Sequence, residues 1–171
     1  MKKEKFDGRY LGLDISLSSP GFAVIDVING KPKLITARHV KTSSKLPDGV
    51  RFSIIESFAT VIAGEYGPFD KIIREDYKRP ASKRQGQAIY GAWAAVDSGL
   101  SRFGLAITDE VNAASVKRLI GGHGKAEKSE VEAGVRRILR LPDDYVFATD
   151  DESDAAAIVL AWLIEAGEVD A

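Results

Sequence analysis

Three strand-like segments in succession open the chain, and helices alternate with strands after them. Residues 10–15 alternate their side chains with the period of two that a half-buried strand requires. Residues 21–27 and 33–40 are also strand-like, and Asn29-Gly30 between them is typical of a hairpin turn. This order of elements predicts an α/β fold, in which a mixed sheet is flanked by helices.

Two further strands bring the predicted sheet to five, and apolar residues at spacings of three and four predict the helices between and after them. We expect one domain over residues 1–171, with residues 1–8 as a flexible N-terminus. The further strands are predicted at 71–77 and 105–111, and the helices at 51–66, 84–103, 113–120, 127–139 and 150–166.

The composition excludes several kinds of site. The chain has no Cys, which removes disulfides, zinc ribbons and thiol nucleophiles, and His39 and His123 are too few for a zinc site built from protein side chains. No run approaches the ~20 apolar residues of a membrane span, and the N-terminus lacks the apolar core of a signal peptide. We therefore expect no contact with a membrane.

Charge is distributed unevenly, although the formal net charge is −1. Residues 71–84 carry six basic and two acidic side chains, and residues 115–140 carry seven and three. Residues 141–171 have nine acidic side chains and no Lys or Arg. Such tracts are often solvated faces, but an acidic cluster beside basic surface is also what a metal-dependent phosphodiester site needs.

Two carboxylates lie at the ends of apolar strands, where burial is unfavourable without a partner. Asp14 shares a strand face with Gly12, and Glu75 shares one with Ile73, whereas Asp76 points the other way unless a bulge intervenes. A salt bridge could satisfy Glu75. Asp14 could instead be satisfied by the hydroxyls of the following turn, those of Ser16, Ser18 and Ser19.

A second pair of carboxylates lies at the start of the last predicted helix. Projecting its apolar stripe backwards places Asp151 and Asp154 on the buried side. Simpler roles are available nearby, because Thr149 and Glu152 fit a capping box and Asp150 complements the helix N-terminus. Neither role requires Asp154 to face inward. Oxygen ligands without Cys favour Mg²⁺ or Mn²⁺, which serve phosphoryl transfer.

Several stretches of the chain match, in order, the motifs of one nuclease family. The stretches are Leu11-Gly12-Leu13-Asp14 with 21–25, Ile72-Ile73-Arg74-Glu75, Gly86-Gln87-Ala88, 116–118 with 122–131, and 151–158. On these residues the chain resembles the RuvC family of Holliday-junction resolvases, in the RNase H-like superfamily, over roughly residues 9–165.

The resemblance implies a fold, an activity and a site. The fold would be an RNase H-like mixed five-stranded sheet, and the activity would be paired hydrolysis of phosphodiesters at a four-way DNA junction, giving 5′-phosphate and 3′-hydroxyl ends. Two Mg²⁺ ions, or Mn²⁺ in their place, would be held by Asp14, Glu75, Asp151 and Asp154. Lys128 would be a catalytic residue at the scissile phosphate, and DNA would also contact Lys117, Tyr77, Lys78, Arg79 and Lys83, although a lone Lys is more often a surface charge.

Partners and location follow from the same resemblance. We expect a homodimer in the cytoplasm, associated with the nucleoid, or in the host cytoplasm if the chain is phage-encoded. The small residues of helix 84–103 suit a dimer face, and packing within the chain's own core explains them equally well.

Departures from the family leave other functions open. Ile15-Ser16-Leu17 follows Asp14 where the family has Pro-Gly-Ser, and residues 76–80 are more basic than is usual. A broader branched- or flap-DNA nuclease and a non-catalytic junction-binding module are the alternatives. An actin-like ATPase or sugar kinase would need a second domain. Gly124-Lys125 is not a P-loop, because Leu119 and Ala126 replace its Gly and Ser/Thr, so no nucleotide cofactor is expected.

Overall fold

A computed structural model describes residues 6–170, and it contains one five-stranded sheet with helices on both faces. The strand order is β3-β2-β1-β4-β5. β1, β2 and β3 are antiparallel to one another, whereas β4 is parallel to β1 and β5 is parallel to β4. The strands are β1 (Phe6–Asp14), β2 (Gly21–Ile28), β3 (Lys31–His39), β4 (Lys71–Glu75) and β5 (Asp109–Val111).

The five helices divide into two layers. α1 and α2 pack together on one face of the sheet, and α3, α4 and α5 cover the other. The predicted α/β fold with a mixed five-stranded sheet is therefore confirmed. The helices are α1 (Asp48–Tyr66), α2 (Lys83–Ser101), α3 (Ala113–Gly121), α4 (Lys128–Leu139) and α5 (Asp150–Glu165).

Alternation along β1 assigns its side chains to the two cores. Leu11 and Leu13 pack against α1 and α2, whereas Tyr10 packs in the cluster built on α5. Ile73 of β4 belongs to the α5 cluster and Ile72 to the other. Even-numbered positions of β1 and odd-numbered positions of β4 thus face α5, which places Asp14 and Glu75 on the same side of the sheet.

Several predicted boundaries are wrong, among them the start of α1 at Asp48 rather than residue 51, the end of α2 at Ser101 rather than residue 103, and three boundaries in the sheet. β5 begins at Asp109 rather than Leu105, because Leu105 N–H still donates to Leu100 O at the end of α2. β4 ends at Glu75 rather than Tyr77, because its partner β5 ends at Val111 and the next residue caps α3. Of the N-terminus expected to be flexible, residues 6–8 belong to β1, and residues 1–5 lie outside the described residues.

Candidate active site

The site begins with a row of residues that crosses the sheet where β1 ends. Asp14 pairs with Gly21 of β2. The parallel pairing of β1 with β4 ends at Leu13 and Arg74, so Glu75 follows Arg74 on β4 as Asp14 follows Leu13 on β1. The resemblance predicted that Asp14 and Glu75 belong to one site, and the sheet register places them next to each other on adjacent strands.

The first turn of α5 approaches this row closely because two glycines lie beneath it. A Cβ built on Gly12 would lie 2.2 Å from the backbone oxygen of Ala155, and one built on Gly21 would lie 1.9 Å from that of Asp151. No larger residue fits at either position without a shift of backbone. The absence of side chains here lets α5 bring Asp151 and Asp154 to Asp14.

The electrostatics of Asp14 reflect this convergence. Burial is the largest of the causes that raise its pKa from an ordinary value of 3.8 to about 7. The carboxylates of Asp154, Asp151 and Glu75 contribute to this rise in that order, and the charge of Lys128 opposes it. Burial also raises the pKa values of Glu75 and Asp154, and Asp154 contributes to the shift at Glu75. The structure therefore brings together the four acids that the sequence selected.

Two lysines lie beside the acids. Lys128 Nζ is 3.1 Å from Asp154 Oδ2 and 3.9 Å from Asp150 Oδ2, and the bond to Asp154 raises the pKa of Lys128. The positive charge of Lys117 favours the ionised form of Glu75, which limits the rise of the Glu75 pKa. Both lysines are exposed, so their charges are accessible from solvent.

The serines of the turn after Asp14 do not satisfy that carboxylate. Ser19 Oγ donates to Asp151 Oδ2 at 2.7 Å, and Ser16 Oγ accepts from the backbone N–H of Ser19. Ser18 Oγ accepts from the guanidinium of Arg51. The interpretation of Asp14 as a carboxylate held by its own turn is wrong, and one of these serines orients Asp151 instead.

The capping box predicted for α5 is also wrong. The Thr149 side chain makes no capping hydrogen bond, and the Glu152 carboxylate accepts from Ala148 N–H and contacts His39 Nδ1. The contact of His39 with Glu152 and the burial of Glu152 were not predicted from the sequence. A signal was present, because the nine residues from Ala155 to Leu163 contain no charged side chain and so predict a helix buried on all sides.

The donor set is suited to a hard divalent cation. Four carboxylates in a half-buried cleft repel one another, which the raised pKa of Asp14 reflects, and oxygen ligands favour Mg²⁺ and Mn²⁺. Within residues 6–170, no three acidic or histidine side chains are already arranged as a metal cage. Asp154 is instead paired with Lys128 and Asp151 with Ser19.

Comparison with known proteins decides the family. The family model described as crossover junction endodeoxyribonuclease RuvC matches residues 10–162, which include all four acids and both lysines. The chain belongs to the RuvC family.

Individual RuvC proteins match this chain over about nine tenths of its length. The chain is 31% identical to crossover junction endodeoxyribonuclease RuvC of Rickettsia bellii (strain OSU 85-389) over 154 residues, which are 90% of this chain and 96% of the relative. It is 30% identical to that of Prochlorococcus marinus (strain MIT 9303), over 89% and 96% of the two chains. The structure of T. thermophilus RuvC in complex with Holliday junction substrate superposes with a TM-score of 0.80 and 25% identity, covering 93% of this chain and 94% of that one.

In this RuvC chain, the residues expected at DNA fall into two groups. Lys117 and Lys128 lie beside the acids. The others follow Glu75 in the chain, up to the first residue of α2, and are Tyr77, Lys78, Arg79 and Lys83. Lys78, Arg79 and Lys83 are exposed, and none forms an ion pair with another residue of 6–170, while Tyr77 is half-buried.

A membrane-spanning helix would have to be both long and apolar. Of the helices within residues 6–170, none meets both conditions.

Proposed function

We propose that the chain is a metal-dependent endonuclease that resolves four-way DNA junctions. The observation that carries this proposal is the convergence of Asp14, Glu75, Asp151 and Asp154, from three separate elements, in a chain of the RuvC family. A solved relative with matching fold is described as bound to Holliday junction substrate. Paired hydrolysis would leave 5′-phosphate and 3′-hydroxyl ends.

The four acids would hold two Mg²⁺ ions, with Mn²⁺ as a substitute. When bound, such ions supply Lewis-acid activation of water and stabilise the charge that develops on the scissile phosphate. Asp14 supports this role because burial, and after it the neighbouring carboxylates, raise its pKa, and a bound divalent cation would stabilise the ionised form against both. Ser19 would orient Asp151 within the set through its hydrogen bond.

Lys128 would act at the scissile phosphate. Its ammonium is a fixed positive charge 3.1 Å from Asp154, so it would lie beside the reacting group and stabilise charge there. Lys117 would contact the phosphate next to Glu75. The segment after β4 would follow the DNA backbone through its exposed cations, and Tyr77 would be the candidate for an aromatic contact with the junction.

We further propose a two-fold homodimer in which α2 provides the contact. Tyr90 on this helix is 47% exposed and packs edge-on against Trp93, which gives α2 an apolar outer surface. A two-fold dimer would present two sites to a nearly two-fold junction, one for each strand that is cut.

The two cores lie on the two faces of one sheet, which supports a single domain over residues 1–171. We also propose that the protein acts in the cytoplasm, associated with the nucleoid or, if phage-encoded, in the host cytoplasm, because its substrate would be DNA and the relatives it matches are bacterial.

A broader activity on branched or flap DNA is the second candidate. Residues 15–17 and 76–80 depart from the family pattern, and both segments adjoin the acids, at the ends of β1 and β4. The turn and the basic segment would then accept three-way as well as four-way substrates.

The decisive experiment incubates the purified protein with synthetic four-way, three-way and linear duplexes, in Mg²⁺ or in EDTA. Junction resolution predicts paired nicks in the four-way substrate that require Mg²⁺. Equal cleavage of three-way DNA would support the broader nuclease. Metal-dependent nicking of any of these DNAs excludes a non-catalytic binding module, and junction binding without cleavage would contradict the proposed activity.

A further inference from the structure

A buried carboxylate outside the proposed metal set lies next to Asp151. Glu152 is 5% exposed, and both of its oxygens have partners. Oε1 is 2.7 Å from His39 Nδ1, and Oε2 accepts a hydrogen bond of 2.9 Å from the backbone N–H of Ala148. A carboxylate so deeply buried is tolerated only when it is paired in this way, so the contacts hold Glu152 in place.

His39 belongs to the same lateral row of the sheet as Asp14. It is the last residue of β3, and it pairs with Gly21, which in turn pairs with Asp14. Residues directly opposite one another in an antiparallel pair project to the same face. His39 therefore lies on the α5 side of the sheet, one strand beyond the glycine over which Asp151 passes.

The first turn of α5 lies across this row and is held at several points. Glu152 contacts His39 at the β3 end of the row, Asp151 passes over Gly21 and accepts from Ser19, and Asp154 is beside Asp14 with Lys128. Thr149, which precedes the helix, contributes no cap, and its buried Oγ1 has no hydrogen-bond partner among residues 6–170. The contacts of Glu152 with His39 and Ala148 therefore hold the first turn of the helix in place where no side-chain cap does.

We infer that Glu152 and His39 are positioning residues that set the rotation of the first α5 turn, and through it the placement of Asp151 and Asp154 as metal ligands. The inference rests on the proposed metal site. Glu152 acts through its two neighbours in the helix and contributes no oxygen to the metal. Loss of such a supporting partner typically weakens metal binding by about 10–100-fold.

The experiment measures Mn²⁺ binding to the full chain by calorimetry, without DNA, for the unchanged protein and four variants. Glu152→Ala and His39→Ala each remove one side of the contact. Glu152→Gln keeps both hydrogen bonds. The amide oxygen accepts from Ala148 N–H, and the amide nitrogen donates to Nδ1 of His39 in the tautomer that carries its proton on Nε2. Glu165→Ala removes an exposed carboxylate at the far end of α5 and is the matched control.

We expect about 10-fold weaker Mn²⁺ binding for both alanine variants, and binding within about 3-fold of the unchanged protein for Glu152→Gln and Glu165→Ala. If Glu152→Ala does not fold, the Mn²⁺ affinities of His39→Ala, which loses the contact, and Glu152→Gln, which keeps it, are compared instead. If Glu152→Gln binds Mn²⁺ as weakly as Glu152→Ala does, Glu152 is itself a metal ligand and the inference is overturned. Unchanged Mn²⁺ binding in both alanine variants would also overturn it.

A second readout on metal-free protein separates this inference from the metal site. The imidazole ¹⁵N resonances of His39 report the hydrogen bond at Nδ1 directly, and we expect them to change in Glu152→Ala. Unchanged resonances would overturn the contact itself. Absence of Mn²⁺ binding by the unchanged chain would instead overturn the proposed metal site, and with it the role assigned to the contact.

Discussion

The backbone oxygen of Asp151 lies where a side chain on Gly21 would have to be: a Cβ built on that glycine would be 1.9 Å from the oxygen. Gly21 is also the partner of Asp14 in the β1–β2 pair. The close approach of α5 to the sheet therefore occurs beside the first acid, and it determines how far the acids of α5 lie from Asp14.

Gly21→Ala tests this close approach. The new methyl group has to displace the first turn of α5, so we expect the free energy of unfolding to fall by about 1–3 kcal/mol and junction cleavage to be lost. Gly49→Ala is the control, because a Cβ there meets nothing within 4 Å and an alanine in α1 is worth up to about 1 kcal/mol. Chemical denaturation and a cleavage assay give both quantities. Cleavage by Gly21→Ala at the unchanged rate would contradict this account of the site.

Asp14→Asn removes a proposed metal ligand while keeping the shape of the side chain. We expect cleavage to fall by more than about 100-fold, the upper end of the range for losing a mere supporting partner of a ligand. Junction binding in EDTA should be unchanged within a few-fold, which anisotropy with a labelled four-way junction measures. Asp144→Asn, at an exposed acid, is the control. Cleavage retained in Asp14→Asn would count against the assigned metal set.

The raised pKa of Asp14 predicts how stability depends on pH without metal. Between pH 4 and its folded pKa of about 7, the folded protein keeps a proton on Asp14 that the unfolded chain has released. Stability in EDTA should therefore fall as pH rises through this range, by up to about 1.4 kcal/mol per pH unit from this group, and level off above pH 7.

Thermal unfolding in EDTA from pH 4 to 8 measures this dependence. Asp14→Asn should lose the component that Asp14 contributes. Mg²⁺ should stabilise the unchanged protein more at pH 8 than at pH 5, because binding no longer has to displace protons. A stability that rises with pH, and is the same in Asp14→Asn, would show that neither burial nor the neighbouring acids raise the pKa of Asp14 in the folded protein.

Lys128→Ala separates catalysis from DNA binding. Loss of the ammonium beside Asp154 should slow cleavage by about 100-fold, since a positioned charge acts mainly on the transition state. Junction affinity should change by less than about 3-fold, because Lys128 is one of many cations near the DNA. Single-turnover cleavage and anisotropy measure the two effects, with Lys125→Ala as the control on the neighbouring exposed loop. An equal loss in both measurements would reduce Lys128 to a contact for the DNA backbone.

The basic segment after β4 should determine part of the salt dependence of binding. In the double variant Lys78→Ala/Arg79→Ala, the slope of log K against log salt should decrease by about 0.9 for each phosphate that the protein no longer neutralises. The control is Lys31→Ala/Lys33→Ala, at the end of β3 away from His39. Titration of a four-way junction at several salt concentrations gives the slopes. Equal slopes in the two double variants would remove this segment from the DNA interface.

Local pattern carried much of the fold and of the proposed site. The period of two in residues 10–15 assigned Asp14 to the face of Gly12, and the spacing of apolar residues assigned Asp151 and Asp154 to the inner side of α5. The first assignment holds, because strand periodicity is a property of the backbone that the sequence displays directly. The second holds in part: Asp151 and Asp154 approach Asp14 and are half-buried, whereas Glu152 beside them is buried more deeply. The start of β5 was predicted less well, since extended residues become a strand only where a partner pairs with them.

The sequence by itself selected the four acids of the proposed site, because alternation and helical spacing fix the direction of each side chain within its own element, but it did not show that Glu152 is buried. Only the tertiary structure decided how those acids are supported. The partners of Asp151 and Glu152, which are Ser19 and His39, lie more than one hundred residues away in the chain. They meet because β3, β2 and β1 pair in one register and two glycines admit α5 above them, and a pairing register is a property of strands together rather than of any one segment.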